Sequence, residues 1–152
     1  LTGGFLTMAC NQRPDFASVL ADLNKAIEAQ PRLSEAHFQV GRTLYEAGQY
    51  QDAYRAFEHA HRLEPGMGNA ANWLGVILYY RLGQKEAALK RFDEAIALNQ
   101  RQVEAHVNRG NYFADLGARG RDEALRSYQR ALDIQPDHPQ AKQGVRRLQG
   151  QR

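Results

Sequence analysis

The chain has one cysteine in 152 residues, so no internal disulfide braces it and the small disulfide-stapled scaffolds are excluded. It has few β-branched residues, too few to build the strands of an all-β fold. No apolar run approaches the ~18–20 residues that a bilayer-spanning helix needs. Charge of one sign is also scarce. The net charge is +3, divided as −1 over residues 1–100 and +4 over 101–152, with acids and bases interleaved throughout. A surface that tracks phosphates needs clustered positive charge, so nucleic acid is not an expected partner. What is abundant is Ala, Leu, Arg, Glu and Gln, with 16 Arg against 4 Lys. These residues lose little side-chain freedom in a helix, and the composition predicts an all-α protein of one domain.

The first residues carry a separate signal. The run Leu6-Thr7-Met8-Ala9-Cys10 loosely resembles the end of a bacterial lipoprotein signal, where a small residue precedes a lipidated cysteine. Against it, Met8 is bulky and no basic start or full apolar core comes before. Two compartments follow: cytoplasmic, or periplasmic with a lipid anchor on Cys10. The plainer reading puts Phe5, Leu6 and Cys10 on a short helix.

The strongest pattern is self-similarity among Ser34–Pro65, Gly68–Gln100 and Val103–Pro136. Each unit has a glycine in its first half (Gly41, Gly75, Gly110) and another at a turn (Gly48, Gly83, Gly117). Each then shows Ala, an aromatic four residues on, and Ala three residues later: Ala53/Phe57/Ala60, Ala88/Phe92/Ala95 and Ala124/Tyr128/Ala131. Val19/Leu23/Ala26 fits the second half of one more unit. End marks at 31, 65, 100 and 136 give spacings of 34, 35 and 36 residues, and such periods mean a stacked array.

Within each unit the period is helical. The turn glycines sit where a helix ends in a left-handed cap, and Pro31, Pro65 and Pro136 are expected to stop the second helix. Helices are predicted near 15–30, 34–47, 50–64, 68–82, 85–98, 102–116, 121–134 and 138–149, the last capped by Asp137. A mid-helix glycine costs roughly 1 kcal/mol against Ala, so three at one repeat position point to a close helix crossing there.

These residues resemble the tetratricopeptide repeat family, whose unit of about 34 residues places Leu-Gly, Ala, an aromatic, Ala and Pro in this order. Val40-Gly41, Leu44, Ala53, Phe57, Ala60 and Pro65 carry the resemblance best. The departures are His37, Ala71 and His106 at the usual Trp position, Gln100 in place of a proline, one extra residue near Tyr79–Leu82, and two in Gly117–Asp122. The resemblance implies a right-handed superhelix of helix pairs. It further implies a degenerate or partial first repeat over 1–33, three full repeats over 34–67, 68–102 and 103–136, and a capping helix over 137–152 with Ala141, Val145 and Leu148 expected on its apolar stripe.

Catalytic signatures are lacking: no HExxH, G-x-S-x-G, Walker A or kinase pattern occurs. Gly66-Met67-Gly68-Asn69-Ala70-Ala71 matches G-x-G-x-x-A, but a dinucleotide site needs a strand before it, and here helices stand on both sides. His59 and His61 project about 200° apart on a helix and cannot chelate one ion, while His37 and His106 share a repeat position and read as structural. No enzyme activity, cofactor or metal is expected.

What remains is a surface. Stacked helix pairs curve into a superhelix with a concave side. In the resembled family the first helix of each pair lines that side, which implies Glu35, Phe38, Arg42, Tyr45 and Glu46, then Asn69, Asn72, Val76, Tyr79 and Tyr80, then Glu104, Val107, Asn111, Ala114 and Asp115, with Trp73 and Asn108 flanking. The expected peptide-binding residues are Phe38, Arg42, Tyr45, Asn69, Asn72, Tyr79, Asn108 and Asn111. Asn offers a donor and an acceptor to a peptide backbone, Tyr and Phe offer area at low entropic cost, and Arg can fork onto a carboxylate. For Phe38, Val76 and Val107 two roles stay open, groove wall or packing against the next repeat. Some family members clamp acidic chaperone tails with Lys, Asn and Arg; Arg42, Asn72 and Asn111 fit that clamp, but its entry lysines are absent and Phe38 occupies one such position. The expected function is a non-catalytic module binding an extended peptide or partner helix. Other readings are a scaffold self-associating through an uncapped front end, or an accessory domain of a larger enzyme or envelope assembly lipoprotein.

Overall fold

The computed structural model describes residues 15–150, and Cys10 and the rest of 1–14 lie outside them. Among the described residues there are eight α-helices and no strand: α1 (Phe16–Ala29), α2 (Ser34–Glu46), α3 (Tyr50–Leu63), α4 (Gly68–Tyr80), α5 (Lys85–Leu98), α6 (Val103–Asp115), α7 (Arg121–Ile134) and α8 (Pro139–Gly150). None is long and apolar enough to cross a membrane. Short loops make α2/α3, α4/α5 and α6/α7 antiparallel pairs, and each pair stacks on the next.

The mid-helix glycines mark the tightest contacts. A β-carbon at Gly41 would lie 2.8 Å from the Phe57 ring, at Gly75 2.5 Å from Phe92, and at Gly110 2.6 Å from Tyr128. The ring on the second helix of each pair thus occupies the space a side chain would need on the first. Phe57 and Phe92 are fully buried, together with Leu74, Ile77 and Val107 and the flanking alanines Ala53, Ala60, Ala88, Ala95, Ala124 and Ala131. Small residues on both sides of each ring let the helices approach without voids.

The turns follow the sequence with two corrections. Gly48, Gly83 and Gly117 have φ of +81°, +68° and +68°, the left-handed caps that favour glycine. The second helices, however, end at Ala29, Leu63, Leu98 and Ile134, two residues before Pro31, Pro65, Gln100 and Pro136. The break comes at the residue before proline, which the ring pushes out of the helical region: Gln30, Glu64 and Gln135 have φ near −138°, −137° and −131°. Asn99 adopts the same conformation (φ −148°) with no proline after it, and its side chain accepts from the Arg101 amide at 3.0 Å. Gln100 therefore replaces proline without disturbing the repeat. At the last helix, Pro139 starts α8 and His138, not Asp137, precedes it, with the Ala141 amide donating to His138 Nδ1 at 3.4 Å.

Two further features refine the pattern. Residues Gly117–Gly120 form a 3₁₀ turn that absorbs the two-residue insertion, and Gly120 there sits so near the Phe113 carbonyl that no β-carbon fits. Val19, aligned in sequence with the buried Ala53, is 41% exposed, while Leu23 and Ala26 are half-buried.

Candidate functional site: an amide-lined groove

Successive first helices run in the same direction, so α4, α6 and α8 form three parallel ribs. Between them lies a cavity of about 530 Å³ lined by Asn72, Trp73, Val76 and Tyr80 from α4, Glu104, Asn108 and Asn111 from α6, and Gln140, Gln143, Gly144 and Arg147 from α8, with Tyr45 and Tyr128 at its margins. Gly144 lets α8 close in, since a β-carbon there would lie 2.5 Å from the far edge of the Tyr128 ring. That ring is pinched between Gly110 and Gly144, which aims its hydroxyl into the cavity.

The polar groups form one directed hydrogen-bond chain. Tyr128 Oη donates to Asn111 Oδ1 (2.6 Å), and Asn111 Nδ2 donates to Tyr80 Oη (2.8 Å). Tyr80 Oη donates to Asn108 Oδ1 (3.4 Å), and Asn108 Nδ2 donates to Asn72 Oδ1 (3.2 Å). Each bond polarises the next, and the chain holds three carboxamides from two helices in fixed orientation. It consumes all three amide oxygens as acceptors but only one N–H each of Asn108 and Asn111. Asn72 Nδ2 donates to nothing among the described residues. Four of the six carboxamide N–H groups thus have no partner among the described residues.

The tyrosine hydroxyls are held neutral. Burial pushes the Tyr128 hydroxyl up to about 12, reinforced by Tyr80 and opposed by Arg147. Burial also raises Tyr80, with the fields of Asp115 and Glu104 adding to it and the Asn111 hydrogen bond working against it. Both stay protonated donors through the neutral range, as the chain requires.

The expected site residues divide. Tyr45, Asn72, Asn108 and Asn111 line the cavity. Asn72 (7% exposed) and Asn108 (8%) are buried, and their mutual hydrogen bond offsets the cost of burying two carboxamides. Phe38 turns inward, edge-on to Phe57 at 5.4 Å between centroids, so packing is its role, and Val107 is fully buried likewise. Tyr79 is buried beside Phe92 and donates to Asp115; its hydroxyl is raised by burial first and that hydrogen bond second. Arg42 is half-exposed and lies 4.0 Å from Glu46 on its own helix, while Asn69 accepts from Gln102 Nε2 at 3.1 Å. Neither reaches the cavity. Missed from sequence were Tyr80 and Glu104, present on the concave face but passed over, and the α8 residues and Tyr128, which the cap and core readings concealed. Gly144 was their available signal: it repeats the spacing of Gly75 and Gly110.

The histidines each meet a partner. His37 Nε2 and His106 Nε2 lie 3.0 and 2.9 Å from the carbonyls of Pro31 and Gln100, six residues upstream in both repeats. His61 meets Glu94 at 2.7 Å, and His59 stacks edge-on to His37 at 4.2 Å. No group of three or more His, Cys, Asp or Glu side chains that could hold a metal occurs among the described residues.

No curated protein sequence matches the chain. Among solved structures it is similar to MamA, with a TM-score of 0.77 and 24% identity, covering 90% of this chain and 78% of that one. It is similar to YrrB, described as a TPR protein with an unusual peptide-binding site, with a TM-score of 0.70 and 26% identity over 95% of this chain and 72% of that one. It is also similar to the first TPR of Spaghetti (RPAP3) bound to an HSP90 peptide, SRMEEVD, with a TM-score of 0.71 and 20% identity over 77% and 90% of the two chains. Residues 44–120 match the family described as tetratricopeptide repeat, a stretch that holds the Gly75–Phe92 crossing and most of the groove's lining residues, and the chain belongs to that family.

Proposed function

We propose that this chain is a non-catalytic protein-interaction module that binds an extended peptide in the groove across α4, α6 and α8. The observation that carries the reading is the hydrogen-bond chain from Tyr128 to Asn72, which fixes three carboxamides and leaves four of their six N–H groups unspent. An extended backbone presents carbonyls at regular intervals and meets such donors without requiring a particular side chain. Tyr45, Trp73 and Tyr80 add aromatic area beside that floor, and the tyrosine and tryptophan rings lose little entropy when a ligand settles on them. The peptide-binding site named for YrrB supports the same class of ligand.

The test is selection of short peptides from a random display library on the immobilised chain, followed by titration of the winners. The parent is expected to hold them near micromolar, about −8 kcal/mol. Asn72→Ala with Asn111→Ala is expected to lose more than tenfold while keeping its helix content by circular dichroism. Equal binding by that variant would place the ligand elsewhere on the molecule.

A further inference from the structure

Only two of the groove's lining residues carry full charge, and they stand at opposite edges of it. Glu104 is in the first turn of α6 and Arg147 near the end of α8. Because α7 runs back between them, α6 and α8 point the same way, and His138 Nε2 lies 2.9 Å from Glu104 Oε1. The Glu104 edge therefore coincides with the start of α8. Arg147 lies nine residues beyond His138, about 13 Å along the helix axis, at the other edge.

Glu104 keeps a charge to offer. His138 Nδ1 accepts the Ala141 amide, so its proton sits on Nε2 and is donated to one carboxylate oxygen. The Glu104 side chain remains 60% exposed. Arg147 is exposed and takes part in no ion pair among the described residues. The floor between them is neutral amide and hydroxyl.

We propose, resting on the groove reading above, that the partner is a mixed-charge extended segment with one basic and one acidic side chain an odd number of residues apart. A strand whose backbone faces the amide floor sends successive side chains to alternate edges, with a period of two. Residues one or three apart reach opposite edges, one meeting Glu104 and the other Arg147. Residues two or four apart reach the same edge, where one of them faces like charge. Spacing, not composition, is the selected property, and an acidic tail without a basic residue fits one edge only.

The experiment compares short acetylated and amidated peptides of Gly, Ser, Thr and Val with one Lys and one Glu, identical in composition and differing only in spacing. Binding is read by fluorescence polarisation and by shifts of the Asn side-chain amides in ¹H–¹⁵N spectra at up to millimolar peptide. Odd spacings are expected to bind about threefold to tenfold tighter than even ones, the range two partly exposed ion pairs supply, with the preference shrinking as salt rises. Glu104→Gln with Arg147→Gln is expected to erase the preference and leave the weaker common affinity. Equal binding of both spacings to the parent, with both lost in Asn72→Ala/Asn111→Ala, overturns the mixed-charge inference and leaves the groove standing. Absence of any Asn amide shift with either peptide overturns both.

Discussion

The two ends of the array use the same repeat positions differently. At the α2 end, Phe38 is packed on Phe57 and Arg42 is spent on its own helix beside Glu46. At the α4–α8 end, the Phe38 position holds Asn72 in α4 and Val107 in α6, the Arg42 position holds Val76 in α4 and Asn111 in α6, and the two asparagines are joined to the cavity's hydrogen-bond chain. A large ring at the position nearest the helix crossing folds into the core and adds stability. A carboxamide there is too polar to be buried alone, and it is tolerated because the next rib supplies its partner. The α8 helix completes the contrast: it is the third rib, and without it Tyr128 has no second glycine to hold it.

The largest effect should come from the core shared by both ends. Phe92→Ala empties the space against Gly75 and is expected to cost about 3–5 kcal/mol in urea unfolding. Gly144→Val separates the ends: it drives a side chain into the Tyr128 ring and should cost about 1–3 kcal/mol, with peptide binding lost and the Phe57 environment at the α2 end unchanged by NMR.

Alkaline titration sharpens the same contrast. Tyr128 is raised to about 12 in the fold, above its unfolded value near 10. Its stabilising contribution is complete below the unfolded value and is lost as pH rises from there through about 12. Tyr128→Phe should therefore flatten the stability loss in that window, measured by urea midpoints against pH. At the other end His59 is lowered by burial first, then by His37 and Arg62, so its contribution is present above the ordinary histidine value and lost as pH falls below it. His59→Gln should lessen the acid sensitivity of α2/α3.

Smaller effects complete the order. Tyr80→Phe keeps the ring but cuts the hydrogen-bond chain in its middle; it should weaken a selected peptide about fivefold, the cost of roughly one hydrogen bond, with little change in melting temperature. Arg42→Ala, outside the groove, should change stability by no more than about 0.5 kcal/mol and leave affinity unchanged, since an exposed i,i+4 pair contributes that little.

The fold was legible in the sequence because its signals are local and repeated. Helix limits follow from turn glycines with positive φ and from the residue before each proline, and the mid-helix glycines announce the crossings that Phe57, Phe92 and Tyr128 fill. Gln100 looked like a departure and is none, because the repeat uses its carbonyl, which His106 meets as His37 meets that of Pro31. The site was legible in part. Repeat position places Asn72, Asn108, Asn111 and Tyr45 on the concave side, but not whether a side chain points outward or into the core, which depends on the size of its neighbours. Phe38 and Tyr79 are both buried. The α8 residues were hidden by an amphipathic pattern that is equally that of a cap and of a rib, and only the spacing of Gly144 tells them apart.

The groove is tested most directly by a ¹H–¹⁵N titration of the parent chain with a display-selected peptide, reading the side-chain amides. The Nδ2 resonances of Asn72, Asn108 and Asn111 are expected to move together and saturate at one affinity, and Tyr80→Phe to uncouple Asn72 from Asn111. Shifts confined to α3, α5 and α7 on the opposite face, with those three amides unmoved, would contradict it.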